Sequence, residues 1–354
     1  MEKENWTSAE IRALFHMDDR YKSVQTLYNA EERGEIPKAD RISRGKVQVR
    51  NWKQHQLPSI GKRFGFLPSP QNQLIICKYI QKGGVLKTTT SFNEARVYAL
   101  NGIKTLIIGL DFECSITDVI LPRAQVVTLE DNQRALGLYQ FLAEGAPLED
   151  IIKKTSLPTL DIIPETHDLV VLDKWLNQQK RREYIFHDKL IPLLSEYEII
   201  IFDNGPSWQH LIENSITASN IILCPLGCNL LAYNASETNL SSIFEFQKEM
   251  GLFNQKIIMF PTLLERSGLS QQIYAQYLSR FSSYIIPTPI RTSVKGQESL
   301  VCKQSILEYA PTSSLGQEYY ELINAIWQKM TESNAINTIK RTTNTSITEL
   351  AQEE

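Results

Sequence analysis

The sequence predicts an α/β fold, a doubly wound and mostly parallel sheet preceded by a small, mostly helical N-terminal domain. Three observations carry this. From residue 74 onward, continuously apolar strand-like runs alternate with helical stretches. A glycine turn flanked by two lysines, Lys82-Gly83-Gly84-Val85-Leu86-Lys87, joins the first of those runs to the first long helix. Residues 1–70 lack such runs and instead order as helix, helix and basic hairpin.

Taken in order, Thr7-Ser8-Ala9-Glu10 places a hydroxyl cap three residues before a glutamate, the signature of a capping box opening a short helix. A second helix runs from about Ser23 through Val24, Leu27 and Tyr28 to Glu32 and stops at Gly34. After Glu35-Ile36-Pro37 comes a basic hairpin with Gly45 at its turn and Trp52 returning to the core, and Leu57-Pro58-Ser59-Ile60 opens a third helix. Residues 1–70 hold 13 Lys/Arg against 9 Asp/Glu, although the whole chain is at −3. Between 41 and 63 there are seven basic residues and no acidic one, which suggests a polyanion partner for that segment. Phe66-Leu67-Pro68-Ser69-Pro70-Gln71-Asn72-Gln73 reads as the linker, so domains are expected at 1–70 and 71–330.

The strand-like runs are Leu74–Ile80, Thr105–Asp111, Leu160–Pro164, Glu198–Asp203, Asn220–Pro225, Lys256–Pro261 and Tyr284–Pro287. Most are apolar at every position, as strands covered on both faces are. The helix after the glycine turn is expected from Ser91 to the Asn101-Gly102 stop. Such alternation puts phosphate chemistry at the carboxyl ends of parallel strands. From Thr331 the chain turns polar and poor in large apolar residues, so 331–354 is expected to be a mobile or partner-ordered tail.

Composition narrows the class. Hydrophobic content of 42% and charged content of 22% are ordinary for a globular protein, and 354 residues suffice for one large domain and a small one. No apolar run approaches a membrane span, and Met1-Glu2-Lys3-Glu4-Asn5-Trp6 has no signal-peptide character, so the expected location is the cytoplasm. Five scattered cysteines argue against a disulfide framework, and Cys224 and Cys228 read as small core residues.

Strand, glycine turn and helix is the setting of a phosphate-binding loop. Its backbone N–H groups and the helix N-terminus face the anion. Lys87 can reach the terminal phosphates and the Thr88 hydroxyl can hold Mg²⁺, with Thr89 beside it. The apolar run Glu198–Asp203 ends in an aspartate followed by Asn204-Gly205-Pro206, and Thr105–Asp111 also ends in one.

With its second lysine, Lys82, the loop resembles the deviant Walker A motif, K-G-G-x-x-K-T/S, of the ParA/MinD ATPases, which implies a P-loop NTPase sheet. The resemblance implies that ATP or ADP binds with Mg²⁺ on residues 82–89, that Thr88 and Asp203 hold the metal, and that Lys82 reaches a partner's nucleotide in a homodimer. Catalytic roles fall on Lys82, Lys87, Asp111 and Asp203, Asp111 orienting the attacking water. ParA proteins carry D-x-D-P-Q on that second strand; here Gly109 stands for the first aspartate, Phe112-Glu113 for Pro-Gln, and Leu86 for the loop's third glycine. These departures fit the large SopA-like plasmid-partition branch and imply slow hydrolysis. Leu160-Asp161-Ile162-Ile163-Pro164, Ile221–Leu226, Phe260-Pro261-Thr262, Pro289-Ile290-Arg291 and Val294-Lys295-Gly296-Gln297 extend the resemblance over roughly 74–328. Of these, Pro261, Thr262, Pro289 and Arg291 are implied to approach the adenine.

The N-terminal order looks like the winged helix-turn-helix domain of SopA-like ParA proteins and MerR-type regulators. In that reading Gln25 and Thr26 face bases while Arg44, Lys46 and Arg50 meet phosphates. The implied function is a nucleoid-associated DNA-partition ATPase. Its ATP dimer binds DNA without sequence preference, a ParB-type centromere-binding protein stimulates hydrolysis, and the N-terminal domain binds its own operator. Two alternatives stand beside it: a nucleotide-gated transcription regulator with little hydrolysis, and a MinD-like positioning ATPase. The second is weakened because the tail lacks an amphipathic basic helix for a membrane surface.

Overall fold

The computed structural model of the chain describes residues 3–44, 47–121 and 136–332. Gly45 and Lys46 of the expected hairpin turn, and all but Thr331 and Glu332 of the expected tail, lie outside the described residues.

The first residues build a layer of short elements. β1 (Asn5–Thr7) leads into α1 (Ser8–Leu14), whose entry is the expected capping box: Glu10 N–H donates to Thr7 Oγ1, and Thr7 N–H to Glu10 Oε2. α2 (Gln25–Glu32) ends before Gly34. β2 (Asp40–Arg44) and β3 (Val47–Lys53) then pair antiparallel, and β1 adds to β3 to make a three-stranded sheet. Trp52 is fully buried and donates its indole N–H to the Pro37 carbonyl at 2.8 Å. α3 (Leu57–Phe64) closes the layer.

From residue 74 come β4 (Leu74–Lys78), α4 (Lys87–Leu100), β5 (Thr105–Leu110) and α5 (Ser115–Ile120). After the undescribed stretch follow α6 (Leu138–Glu144), α7 (Leu148–Ile151), β6 (Lys153–Lys154), β7 (Leu160–Ile163) and α8 (Leu169–Leu176). Next are β8 (Ile199–Asn204), α9 (His210–Ala218), β9 (Ile221–Gly227), α10 (Leu230–Glu249) and β10 (Lys256–Leu264). The chain closes with α11 (Gly268–Arg280), β11 (Ile290–Arg291), α12 (Val294–Val301), α13 (Ile306–Tyr309) and α14 (Ser314–Thr331).

Among the described residues eight strands form one sheet in the order β11-β10-β9-β4-β8-β5-β7-β6, parallel except for β6. β4, β5, β7, β8 and β9 are buried at every position, so the continuously apolar runs are central strands packed on both faces. This is the doubly wound P-loop NTPase fold that the sequence predicts.

Three elements depart from expectation. α4 starts at Lys87, not Ser91, because Leu86 turns the loop straight into the helix and Thr90 Oγ1 bonds back to the Leu86 carbonyl at 2.8 Å. Tyr284–Pro287 forms a single bridge between Ile285 and Met259, and the edge strand is β11 instead. β6, a lysine pair, carries no apolar signal.

The N-terminal layer packs directly on the helices around the sheet. A Cβ on Gly61 of α3 would come within 1.7 Å of the Leu100 carbonyl of α4, so only glycine allows that crossing. Asn101 Oδ1 accepts from the Phe66 and Leu67 N–H groups at 2.7 and 3.0 Å. His16 stacks on Tyr320 of α14 with ring centroids 3.6 Å apart. Residues from Trp6 to Met330 form one apolar cluster across this seam, so the N-terminal layer and the sheet share a core.

Candidate nucleotide site

The glycine turn leaves β4, the middle of the sheet, and its two neighbours on one side are β8 and then β5. Lys78 pairs in register with Asp203, and Asp203 with Gly109, so three strand ends lie side by side. Residues that sequence spacing separates by more than a hundred positions are thereby brought to one edge.

Within the loop, Gly83 and Gly84 are exposed, Val85 is buried, and Lys82 is half-buried. Leu86 sits at φ +66°, ψ +28°, a left-handed conformation that is costly for a bulky residue and cheap for glycine. The Lys87 ammonium is buried and donates to the Lys82 carbonyl at 2.7 Å. Burial lowers its pKa, opposed by the negative charges of Asp203, Asp111 and Glu113. Thr89 stands half-buried in the helix's first turn and its carbonyl accepts from Asn93 Nδ2.

Asp203 is fully buried at the end of β8. Ser91 Oγ donates to its Oδ1 at 2.6 Å. Desolvation pushes its pKa up to about 6 against the lowering effects of Ser91, Thr88 and Lys87. Its Oδ2 lacks a full hydrogen bond. A buried carboxylate oxygen without a partner, beside a threonine hydroxyl, suits a hard cation with oxygen ligands, so the residues present fit Mg²⁺. Asp111, one strand further on, is nearly buried, accepts from the Glu113 N–H at 3.1 Å, and faces Gly205 of the turn after β8.

On the other flank, Pro261 and Thr262 of β10 lie opposite Leu226 and Gly227 of β9. Thr262 Oγ1 donates to the Val85 carbonyl at 3.1 Å, tying β10 to the loop. Pro289 is half-buried just before β11. Arg291 is engaged by Glu318, through both its guanidinium and its backbone N–H. A depression of about 210 Å³ opens next to these strand ends, lined by Cys228, Asn229, Leu263, Leu269 and Thr292 among others.

The structure adds residues that spacing did not reveal. Asn239 of α10 donates to the Gln81 carbonyl at 3.0 Å and braces the start of the loop. Ser91, named from sequence only as the expected start of the helix, fixes Asp203. Glu94 neutralises Lys78, both fully buried and 2.5 Å apart.

The residues expected to meet DNA belong to the N-terminal layer and are not gathered into this site. Gln25 is exposed and bonds to Asn29, and Thr26 is half-buried beside it on α2. Arg44 ends β2, and Lys46 is outside the described residues. Arg50 is committed within the layer: it pairs with buried Glu31 and lies over the Tyr28 ring at 3.7 Å.

A family profile described as "AAA domain" matches residues 73–259. The chain is similar to the chromosome partitioning protein ParA of Caulobacter vibrioides, 29% identical over 254 residues covering 70% of this chain and 91% of that one. It is also similar to the sporulation initiation inhibitor protein Soj of Bacillus subtilis, 28% identical over 249 residues, 70% and 95% covered. Among solved structures, apo McdA of Cyanothece superposes with a TM-score of 0.63 at 19% identity, 72% of this chain and all of that one being covered. A plasmid partition protein of Borrelia burgdorferi bound to AMPPNP superposes with a TM-score of 0.59 at 20% identity, 73% and 99% covered.

Proposed function

The chain belongs to the AAA-domain family, as a P-loop ATPase of the ParA type, and from that premise we propose that it is a DNA-partition ATPase working as an ATP-bound homodimer. One observation carries the reading most: Lys87, Thr88, Asp203 and Asp111 meet where β4, β8 and β5 end as neighbours. Thr88 and Asp203 would hold Mg²⁺, which when bound would supply positive charge against the phosphates. Loop N–H groups and the Lys87 ammonium hold the terminal phosphates, Ser91 keeps the Asp203 carboxylate oriented, and Asp111 orients a water toward the γ-phosphate. Pro261, Thr262, Pro289 and Arg291 flank the base, Lys82 serves the partner subunit's nucleotide, and Gly83, Gly84, Val85, Leu86 and Thr89 shape the cradle.

In this reading the ATP dimer binds DNA without sequence preference, and a ParB-type partner stimulates hydrolysis. The N-terminal layer acts as a winged helix-turn-helix that reads an operator through Gln25 and Thr26, with Arg44 and Lys46 on phosphates. The supports are the names and coverage of the relatives and the basic block between 41 and 63. A fluorescent ATP analogue titrated with and without Mg²⁺, then phosphate release with and without DNA and the partner, tests it. Absence of Mg²⁺-dependent binding overturns the reading. Tight binding with no turnover under any condition favours the nucleotide-gated regulator.

A further inference from the structure

Gly109 stands where the resemblance expects an aspartate, and the space it leaves is filled from another strand. β5 and β7 are parallel neighbours with Ile108 opposite Ile163, so Gly109 and Glu165 emerge from adjoining strand ends. A Cβ built on Gly109 would lie 2.5 Å from Glu165 Cγ and Cδ and 2.8 Å from its Oε1. A side chain at 109 and the Glu165 carboxyl therefore exclude each other.

Glu165 is 5% exposed, yet its polar atoms are engaged. Oε2 accepts from the Thr117 N–H at 2.9 Å and the Thr117 hydroxyl at 2.5 Å, and the Glu165 N–H donates back to Thr117 Oγ1 at 2.9 Å. Oε1 sits 3.5 Å from the Ile116 N–H. These contacts pin the first turn of α5, which starts right after the Asp111-Phe112-Glu113-Cys114 turn. At its far end, Lys303 bonds to the carbonyls of Asp118 and Leu121, so α5 is held at both ends. Burial, with Asp203's charge among the lesser causes, raises the Glu165 pKa to about 8, which places it within the field of the nucleotide site.

We propose that Glu165 is a positioning residue of that site: from just beyond the end of β7 it supplies the carboxyl that residue 109 would otherwise supply from β5, and through Thr117 it fixes the turn bearing Asp111. The proposal rests on the ATPase reading for its catalytic consequence, but not for the contact itself. The swap accounts for a glycine at 109, because the Glu165 carboxyl already fills the space that a side chain there would need.

Carboxyl relocation tests this. Wild type, Glu165→Ala, Gly109→Asp and the double variant Gly109→Asp/Glu165→Ala are compared by hydrogen exchange and by ATP turnover; Glu165→Gln is the conservative control. Glu165→Ala should raise amide exchange in residues 112–119 by about tenfold while the β4 and β8 amides stay protected. It should lower kcat by on the order of 10-fold or more with KM for ATP within roughly threefold, as misplacement of a catalytic group does. Gly109→Asp alone should lose stability through the clash. The double variant should regain most of the protection and turnover, since the carboxyl introduced on β5 would enter the space that the Glu165 carboxyl vacates. Glu165→Gln should keep most of both. A double variant no better than Glu165→Ala in exchange overturns the proposal, as does wild-type exchange in Glu165→Ala. Should the wild type fail to bind ATP, the ATPase reading falls while the exchange comparison still decides the contact.

Discussion

The Lys87 ammonium donates to the carbonyl oxygen of Lys82 at 2.7 Å, so the two lysines of the loop are joined, and unequal. One contributes a buried charge folded over the loop, the other a backbone acceptor and a half-buried side chain. Phosphate would take over the partner role that the Lys82 carbonyl plays.

Lys87→Ala should therefore weaken Mg·ATP binding by about 100-fold or more, the scale for deleting one member of a buried charge pair. Lys82→Ala should leave affinity within roughly threefold and instead impair ATP-dependent dimerisation, read by sedimentation. Equal loss of affinity in both would contradict the cross-subunit role.

Asp111→Ala should bind ATP and dimerise but turn over on the order of 100-fold more slowly, the usual cost of one positioned group in proton transfer or water activation. Phosphate release and nucleotide titration on the same sample check it.

Asp203 offers a pH signature. Its pKa in the fold, about 6, lies above the roughly 3.9 of an unfolded aspartate, so the folded state holds its proton longer. Its contribution to stability therefore falls as pH rises from about 4 to 6 and stays low above that. Asp203→Asn should stabilise the nucleotide-free protein at pH 7.5 by on the order of 2 kcal/mol, and by almost nothing at pH 4. Saturating Mg·ATP should reverse that order by stabilising only the wild type. Thermal melts at the two pH values, with and without Mg·ATP, give the comparison.

Leu86 holds a left-handed backbone, worth roughly 1–2 kcal/mol of strain. Leu86→Gly should sit within about 1 kcal/mol of wild type, relief of strain offsetting lost contact and added chain entropy. Leu86→Ala keeps the strain, loses the contact and should be the less stable of the two by urea midpoint.

Arg50 and the hairpin tip should separate. Arg50→Ala leaves buried Glu31 without its close partner and should destabilise the N-terminal layer by roughly 1–3 kcal/mol. Arg44→Ala with Lys46→Ala should lower operator affinity and its salt slope by roughly one unit per lost phosphate contact. Anisotropy titrations at several salt concentrations, beside melts, distinguish the two.

Much of this was readable in advance, for physical reasons. Strands such as Ile199–Asn204 are apolar throughout because both faces are covered, and that needs no knowledge of neighbours. Thr7 and Glu10 announce a cap that closes within four residues. The apolar pair Ile285 and Ile286 misled: both are buried, but Pro287 and Pro289 withhold the N–H donors a longer strand needs. That Lys87, Thr88, Asp111 and Asp203 come to one edge of the sheet was legible, because a glycine turn between strand and helix fixes local spacing and apolar runs fix strand ends. Glu165 was not, since its partnership with Gly109 depends on the register of two strands 56 positions apart at those residues. Arg50 read as a phosphate contact because only the folded hairpin lays it on Tyr28 and Glu31.

Helix α4 begins at Lys87 and is followed at once by Asn101, whose side chain holds the backbone of Phe66 and Leu67. Fourteen residues at about 1.5 Å each make a strut of roughly 21 Å with the phosphate cradle at one end and the N-terminal layer clamped at the other. Gly61 presses on it at Leu100 with no slack. A tilt of that rod at the cradle cannot be absorbed at the seam, because close-packed contacts transmit displacement instead of damping it. The N-terminal layer is therefore geared to the loop mechanically, and cutting it away would remove the load against which α4 rests.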